Sequence, residues 1–204
     1  MKDTPPVIAG LTGGIATGKS VVAQMMRDLG AAVIDSDALG HDVIAPGGPA
    51  CGQVKAAFGD AILSPEGAID RSKVASIVFS DPAKLRLLES ITHPLIIATA
   101  ADRMREAAKS GYALIVMESA IIYELHIEGM FQTVVTVYAD PAVQLDRLMA
   151  RGGLSRAEAR LRIDAQMPVA EKARLSAHVI DNSGSLEKTR AQVAALVSSL
   201  IAHR

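Results

Sequence analysis

The sequence predicts an α/β fold in which a parallel five-stranded sheet is covered by helices on both faces. Five short apolar runs have the length of buried strands, and segments with helical spacing lie between them. Half of the 204 residues are hydrophobic but only 3% are aromatic, so aliphatic side chains must fill the core. Strands that alternate with helices are typical of parallel sheets whose two faces are both buried.

The five predicted strands are short and rich in β-branched residues. They read VIAGLTG, AAVID, YALIVME, TVVTVYA and HVID, at residues 7–13, 31–35, 112–118, 133–139 and 178–181. Between the first two, apolar residues recur at helical spacing from Lys19 onward, and Gly30 is expected to end that helix. The opening of the chain therefore predicts a strand, a helix and a second strand in succession.

Two segments interrupt this alternation and predict inserts. Residues 41–110 contain turn clusters and helical periodicity but no long buried strand, which indicates a helical insert. Residues 147–168 are polar and rich in arginine, which indicates a second, smaller insert. The nucleotide-binding core that remains comprises residues 1–40, 111–146 and 169–204.

A helix is predicted inside the larger insert, in the stretch SDPAKLRLLESITHP. Ser80 is the expected N-cap, since Pro82 then falls near the first helical position. The helix is expected to end at His93, because Pro94 disfavours helical backbone at the residue before it.

Composition and charge exclude several classes of protein. The formal net charge is −1, and no basic tract is present, so we expect neither nucleic acid nor an anionic membrane as a partner. Cys51 is the only cysteine, and no signal peptide or membrane span is recognisable at the sequence level. We expect a cytoplasmic protein, and the sequence favours no oligomeric state.

A phosphate-binding motif follows the first predicted strand. GGIATGKS matches G-x-x-x-x-G-K-[ST] and has the required strand before it and helix after it. Glycines let successive backbone N–H groups curl around phosphate oxygens, and the helix N-terminus adds a positive dipole end. Lys19 would place a cation between the β- and γ-phosphates, and the Ser20 hydroxyl could bind Mg²⁺. The residues predicted to contact the nucleotide are Gly13, Gly14, Ala16, Thr17, Gly18, Lys19, Ser20 and Val21.

The motif predicts nucleotide binding but not the reaction. A small-molecule kinase, a GTPase-type switch and an ATPase module remain open on this motif alone. A switch would need the guanine-reading pattern N/T-K-x-D, which does not occur. Within the enzymes, any nucleotide or metabolite kinase with a phosphate loop is compatible.

Further motifs make the chain resemble dephospho-CoA kinase. GLTGGIATGKS is followed one helix later by VIDSD, and VIAPGGPA, HP, ESAIIYE, QLDRLMARGGLSRAEARLRIDAQ and VIDNSGSLE continue the resemblance over nearly the whole chain. The resemblance implies ATP and Mg²⁺ as cofactors and phosphoryl transfer to the ribose 3′-hydroxyl of dephospho-CoA. It also implies a P-loop kinase core in which residues 41–110 bind the acceptor and residues 147–168 form a lid.

Asp37 is the candidate general base. Phosphoryl transfer to a hydroxyl needs a carboxylate near the attacking oxygen, and such sheets bind ligands beyond the ends of their strands. The residues alone favour equally an N-cap role for Asp37 at the next helix, and the resemblance favours the base. Asp35 is expected to order the loop or a metal-bound water.

The remaining site residues follow from the resemblance. Arg147 and Arg151 lie four residues apart at the start of the lid and could stack on adenine or neutralise charge in the transition state. Asn182 is expected to border the adenine. The residues assigned to the acceptor site are His41, His93 and Glu118. For His93, the residues alone favour at least equally a structural role at a helix junction. Two departures stand out: many family members have arginine where His41 stands and proline where Ala120 stands.

Overall fold

The computed structural model describes residues 4–202, which form five strands, nine α-helices and two short 3₁₀ turns. The strands are β1 Val7–Gly13, β2 Ala32–Asp35, β3 Leu114–Glu118, β4 Thr133–Tyr138 and β5 His178–Asp181. The helices are α1 Lys19–Asp28, α2 Ser36–Ile44, α3 Cys51–Phe58, α4 Arg71–Ser80, α5 Pro82–Lys109, α6 Pro141–Gly152, α7 Arg156–Asp164, α8 Val169–Leu175 and α9 Leu186–Ala202. All five predicted strands are present, so the predicted α/β fold is confirmed.

The strands form one sheet in the order β2-β3-β1-β4-β5. Strand β1 pairs in parallel with β3 on one side and with β4 on the other, and β4 pairs in parallel with β5. Strand β1 lies at the centre of the sheet between β3 and β4, so the loop that follows it emerges between the ends of those two strands.

The chain divides into two compact units. One contains the sheet and comprises the described residues up to Ile34 and those from Met104 onward. The other is Asp35–Arg103 and contains helices without a sheet strand. The domain boundaries predicted at 41, 110, 147 and 168 stay predictions.

Both faces of the sheet are covered, as the two-residue alternation of a buried parallel strand requires. On one face Leu11, Val116 and Val135 pack in a buried aliphatic cluster with residues of α1 and α9. On the other face Gly10 lies against Ile122 and Phe131: a Cβ built at Gly10 would come within 2.8 Å of both side chains. Glycine at this position lets the covering segment approach the sheet closely.

The helical unit has an aliphatic core of its own. Its buried members are Val43, Ala50, Val54, Ile62, Val74 and Val78. Half-buried side chains of α5, among them Leu88, Ile91 and Leu95, pack against this cluster. Burial of this apolar surface stabilises short helices that would be marginal in isolation.

The predicted N-cap of α5 was wrong by one residue. Asp81 caps the helix, because its Oδ1 accepts hydrogen bonds from the backbone N–H groups of Ala83 and Lys84 at 2.9 and 3.2 Å. Ser80 is instead the last residue of α4, and its hydroxyl donates to carbonyls one turn back. Serine and aspartate both cap helices well, so the sequence offered two adjacent candidates.

The predicted end of this helix at His93 was also wrong, because α5 continues through Pro94 to Lys109. Proline removes one intrahelical hydrogen bond and disfavours helical backbone before it, but these are local costs. Ile91 and Leu95 on either side of Pro94 pack into the helical core, and Ala100 and Met104 farther along are buried. Tertiary packing on both sides of the proline therefore outweighs the local preference.

None of the described helices combines the length and apolar composition that crossing a membrane requires. Cys51, the lone cysteine, is buried at the start of α3.

Candidate active site

The phosphate motif forms the turn between β1 and α1, as predicted. Gly18 is the residue before α1 and has a left-handed backbone with φ 89°, which glycine adopts without strain. Ala16 also has a positive φ of 61°, which is uncommon for a residue with a Cβ. The turn thereby leaves the first N–H groups of α1 at the sheet edge, where an anion can accept hydrogen bonds from them.

Lys19 and Ser20 are joined to the end of the neighbouring strand. Lys19 Nζ and Ser20 Oγ each lie 2.8 Å from Glu118 Oε1, and both donate to it. Strand register explains the encounter, since Glu118 pairs with Leu11 of β1, just before the loop. Glu118 is only 4% exposed, so a carboxylate there needs these partners.

The Thr17 carbonyl is fixed from the far side of the loop. Asn182 Nδ2 donates to it at 2.7 Å, and Arg147 Nη1 donates at 3.4 Å. Arg147 Nη2 also donates to the Asn182 carbonyl at 2.8 Å, and Thr189 Oγ1 donates to Asn182 Oδ1 at 2.8 Å. The turn after β5 is thus tied to the phosphate loop, and the Arg147 side chain joins the two.

The peptide groups of Ile15 are held by two glutamines that sequence reasoning missed. Gln144 Nε2 donates to the Ile15 carbonyl, and Gln166 Oε1 accepts from the Ile15 N–H, each at 2.8 Å. Gln144 sits on the buried side of α6, where a polar residue in an otherwise apolar stripe was the available signal. Gln166 lies in the polar segment after α7, and nothing local distinguishes it from a solvated side chain.

Six predicted residues come together around one cavity of about 380 Å³ beside the loop. They are Ala16, Gly18, Val21, Arg147, Arg151 and Asn182. Leu186, at the start of α9, completes the lining and was missed, although an exposed leucine after the turn NSGS was a signal. Two arginines and an aliphatic side chain can pack against the faces of a planar ring.

The turn after β5 carries a carboxylate with a perturbed pKa. Hydrogen bonds from the Ser183 side chain and backbone hold the pKa of Asp181 below its ordinary value, against a smaller opposing effect of burial. The Ser183 N–H lies 2.9 Å from Asp181 Oδ1. The Asx turn that results fixes the backbone next to Asn182.

In the helical unit, the alternative prediction that Asp37 is the N-cap of the next helix was wrong. Asp35 is the N-cap of α2: its Oδ1 accepts from the backbone N–H groups of Asp37 and Ala38 at 2.9 and 3.2 Å. Asp37 follows as an exposed acidic residue in the first turn of α2. Its carboxylate is therefore not needed to cap the helix.

His41 and His93 both lie on helices of this unit. The exposed His41 ring contacts Arg71 through Nε2 and Nη2, which places a guanidinium beside the imidazole. Sequence reasoning missed Arg71, because it is thirty positions away along the chain. His93 is half-buried inside α5 rather than at a helix end. Acceptor contacts by either histidine stay predictions.

The residues at the phosphate loop would bind Mg²⁺ only with phosphate oxygens as further ligands. The described residues contain no group of three or more His, Cys, Asp or Glu side chains that could hold a metal ion by themselves. Ser20 Oγ and Glu118 Oε1 are oxygen ligands 2.8 Å apart, and Mg²⁺ favours oxygen ligands from one or two side chains with phosphates and water completing the shell. The donor set therefore fits Mg²⁺ bound with a nucleotide.

A loop of this geometry at the carboxyl edge of a parallel sheet is the nucleotide-binding element of P-loop proteins, and the fold is that of the P-loop kinases. The sequence profile of one family, described as dephospho-CoA kinase, matches residues 7–188. The chain belongs to the dephospho-CoA kinase family.

Individual relatives agree with this assignment over nearly the full chain. A dephospho-CoA kinase of Carboxydothermus hydrogenoformans is 45% identical over 186 residues, which cover 91% of this chain and 90% of the relative. The solved structure of dephospho-CoA kinase from Campylobacter jejuni is 26% identical and superposes with a TM-score of 0.73, covering 96% of this chain and 98% of the other. A solved structure from Thermus thermophilus is 34% identical with a TM-score of 0.80, covering 97% and 99%.

Proposed function

We propose that this chain transfers the γ-phosphoryl group of ATP to the ribose 3′-hydroxyl of dephospho-CoA, giving coenzyme A and ADP. The observation that carries the proposal is the pairing of Lys19 and Ser20 with Glu118 at the end of β3, in a chain of this family. The three side chains form a preassembled site for the phosphates of a nucleotide and for their metal ion.

ATP binds along the loop, with its adenine in the cavity lined by Arg147, Arg151 and Leu186. The backbone N–H groups before and within the first turn of α1 hold the β-phosphate, and Lys19 lies between the β- and γ-phosphates. Lys19 then leaves Glu118 for phosphate oxygens. Asn182 and the glutamines act indirectly, by fixing the loop carbonyls and so the direction of its N–H groups.

Asp37 is the general base. Its carboxylate takes the proton of the acceptor hydroxyl as the hydroxyl oxygen bonds to the γ-phosphorus and the bond from that phosphorus to the ADP oxygen breaks. Two observations support this role: Asp37 comes two residues after β2, and Asp35 relieves it of capping α2. Arg151 and Arg147 would stabilise the charge that builds up on the transferred group.

Ser20 and Glu118 would hold Mg²⁺ when nucleotide is bound, with Asp35 on a metal-bound water. The ion would supply positive charge to the β- and γ-phosphate oxygens. Glu118 is therefore proposed as a metal and loop residue rather than as a contact to the acceptor.

Residues 41–110 are proposed to bind the acceptor, with His41 and His93 among the contacts, and residues 147–168 to act as the lid. The Arg71 guanidinium adds a permanent positive charge beside His41, which favours the binding of an anionic ligand there. A cytoplasmic location is proposed because the reaction consumes ATP.

The acceptor is tested by ATP consumption with dephospho-CoA beside AMP, CMP, shikimate and gluconate. We expect turnover with dephospho-CoA, and a phosphorus NMR spectrum of the product that has a new 3′-phosphate resonance. Turnover with another acceptor and none with dephospho-CoA would overturn the proposal.

The phosphate site is tested by Lys19→Ala, which removes the cation nearest the β/γ-phosphates. We expect kcat to fall by about 10²-fold or more, because this catalysis is positioning and charge stabilisation. Arg27→Ala, which removes an exposed cation from the last turn of α1, serves as the control and should retain activity. A folded Lys19→Ala enzyme with near-native kcat would contradict the proposed role of the loop.

A further inference from the structure

A buried lysine lies beneath the site and has no part in the reaction described above. Lys172 on α8 has no exposed surface, although lysine is almost never fully buried without a partner. Its sequence context, AEKARL, is that of an ordinary solvated helix. A charge placed there must be compensated by the groups around it, because burial in a low dielectric is costly.

Lys172 is compensated by the loop that follows β3, residues 119–124, here called the β3 loop. Lys172 Nζ lies 2.6 Å from Glu124 Oε1 and donates to the Ala120 carbonyl at 2.5 Å. The same carbonyl accepts a hydrogen bond from Thr12 Oγ1 of β1 at 3.3 Å. One ammonium group thus holds both ends of the β3 loop.

The β3 loop is directly continuous with the phosphate site. Ala120 is two residues beyond Glu118, whose Oε1 holds Lys19 and Ser20. Between them, the Ser119 N–H donates to the Leu11 carbonyl of β1 at 2.9 Å. A displacement of Ala120 would therefore move Glu118 against the strand that leads into the phosphate loop.

The chain segment that leads into α8 and Lys172 also contacts the phosphate loop. Gln166 holds the Ile15 N–H, and the N–H of the next residue, Met167, donates to Glu124 Oε1 at 3.3 Å. Residues 166–172 consequently contact both loops at the carboxyl edge of the sheet.

Side chains next to the pair are hydrogen-bonded to one another, but Glu124 Oε2 is buried and has no hydrogen-bond partner among the described residues. Tyr123 is 6% exposed, and its hydroxyl contacts Ser176 Oγ just after α8, which in turn contacts Thr136 of β4. Burial raises the pKa of Tyr123, and the bond to Ser176 offsets part of that rise. The Tyr123 hydroxyl thus adds a further contact between the β3 loop and the chain just after α8.

We propose that Lys172 is a positioning residue for phosphoryl transfer, which fixes the β3 loop through the Ala120 carbonyl and Glu124 and so aligns Glu118 with Ser20, its partner at the proposed Mg²⁺ site. Misplacement by about 1 Å of groups that must be aligned can lower a rate about 10²-fold. The inference rests on the proposed kinase reaction. A failure of the wild-type enzyme to use dephospho-CoA would count against that reaction, whereas the ratio of variant to wild type tests Lys172.

The decisive variant is the double substitution Lys172→Met with Glu124→Leu. Lys172→Met alone leaves the Glu124 carboxylate without its cation and is expected to lower Tm. The double variant replaces the ion pair by apolar groups, so no buried charge is left unpaired and most of the lost Tm should return. It leaves the Ala120 carbonyl without its ammonium donor and the Met167 N–H without its weak bond to Glu124. We expect its kcat to stay about 10- to 100-fold below wild type, with KM for ATP within about threefold, since the loop N–H groups are intact.

The control is Arg174→Met, which removes an exposed cation from the same helix and should change neither Tm nor kcat. Recovery of both Tm and kcat in the double variant would overturn the proposal, because the pair would then serve stability alone. A large rise in KM for ATP at unchanged kcat would also overturn it.

Thr12→Val gives an independent test if the double variant does not fold. This substitution nearly conserves volume and removes only the other donor to the Ala120 carbonyl. We expect kcat to fall about three- to tenfold with KM for ATP unchanged, as for a small misalignment. Wild-type kcat in a folded Thr12→Val enzyme would overturn the inference.

Discussion

The sheet-containing unit and the helical unit Asp35–Arg103 use different means to prepare for ligands. In the sheet unit, the phosphate loop is fixed by hydrogen bonds to its own backbone from distant, buried or half-buried side chains, among them Gln144 and Asn182. In the helical unit, the candidate base Asp37 and the candidate acceptor contact His41 are exposed side chains on α2, whereas His93 on α5 is half-buried.

The difference fits what each region is proposed to recognise. Triphosphates are bound by backbone N–H groups, which every sequence possesses, so the chain needs only glycines and a rigid frame to aim them. A larger acceptor must be recognised by side chains of suitable charge and shape, which remain exposed until the ligand covers them. Backbone recognition leaves a motif in the sequence, whereas recognition by exposed side chains leaves little.

The largest expected effect is at Asp37, where a substitution should lower the rate of the reaction without lowering the stability of the fold. Asp37→Asn keeps the shape of the side chain but cannot accept a proton at neutral pH, so kcat should fall by about 10²–10⁴. ATP affinity and Tm should change little, because Asp35 caps α2. Steady-state kinetics, an ATP titration and a melting curve measure the three quantities.

Asp42→Asn is the matched control, since Asp42 is another exposed carboxylate on α2. It should retain wild-type kcat. If Asp37→Asn retained kcat as well, the base would lie elsewhere, and Asp35 would be the next residue to test.

A second, smaller effect tests the rigid frame around the phosphate loop. A Cβ at Gly18 would lie 2.1 Å from Asn182 Nδ2, and the backbone there has φ 89°. Gly18→Ala should therefore lower the free energy of unfolding by about 3 kcal/mol, combining left-handed strain with the displacement of Asn182 from its hydrogen bonds.

Gly30→Ala separates those two contributions. Gly30 has nearly the same φ, 91°, but nothing lies within 4 Å of a Cβ built there. Gly30→Ala should lower the free energy of unfolding by only about 1 kcal/mol, because left-handed strain is the only contribution there. Equal losses of stability in the two variants, measured by denaturant unfolding, would mean that Asn182 does not constrain the loop.

The smallest expected effect is in the helical unit, at the proline inside α5. Pro94→Ala restores a backbone N–H to the helix, so the free energy of unfolding should rise by about 1 kcal/mol. Pro82→Ala, at the first position of α5, should be nearly neutral, because that N–H has no intrahelical partner. If Pro94→Ala instead lowered stability, the proline ring would have a packing role that outweighs the missing hydrogen bond.

Errors in reading the sequence fell where two nearby residues suit the same local role, or where local and tertiary preferences disagree. The five strands were predicted to within two residues at their starts, since a buried parallel strand is a continuous apolar run. The α5 cap was misplaced by one residue, because Ser80 and Asp81 are neighbours and both residue types cap helices well. The passage of α5 through Pro94 was not predicted, because the packing of Ile91 and Leu95 decides whether a proline ends the helix. Local rules predict what a segment prefers, and the core decides which preference prevails.

For the site, the sequence alone determined the phosphate loop, the strand and helix around it, and the acid at the end of β3. These features are local: the chemistry of the loop is written in consecutive residues from Gly13 to Ser20, and Glu118 directly ends the apolar run of β3. Only the tertiary structure decided that Glu118 pairs with Lys19 and Ser20, that Gln166 and Asn182 hold the loop, and that Lys172 is buried. The physical reason is distance along the chain: these partners lie about a hundred residues or more from the groups they hold, or, like Lys172, look like ordinary solvated side chains until the fold surrounds them.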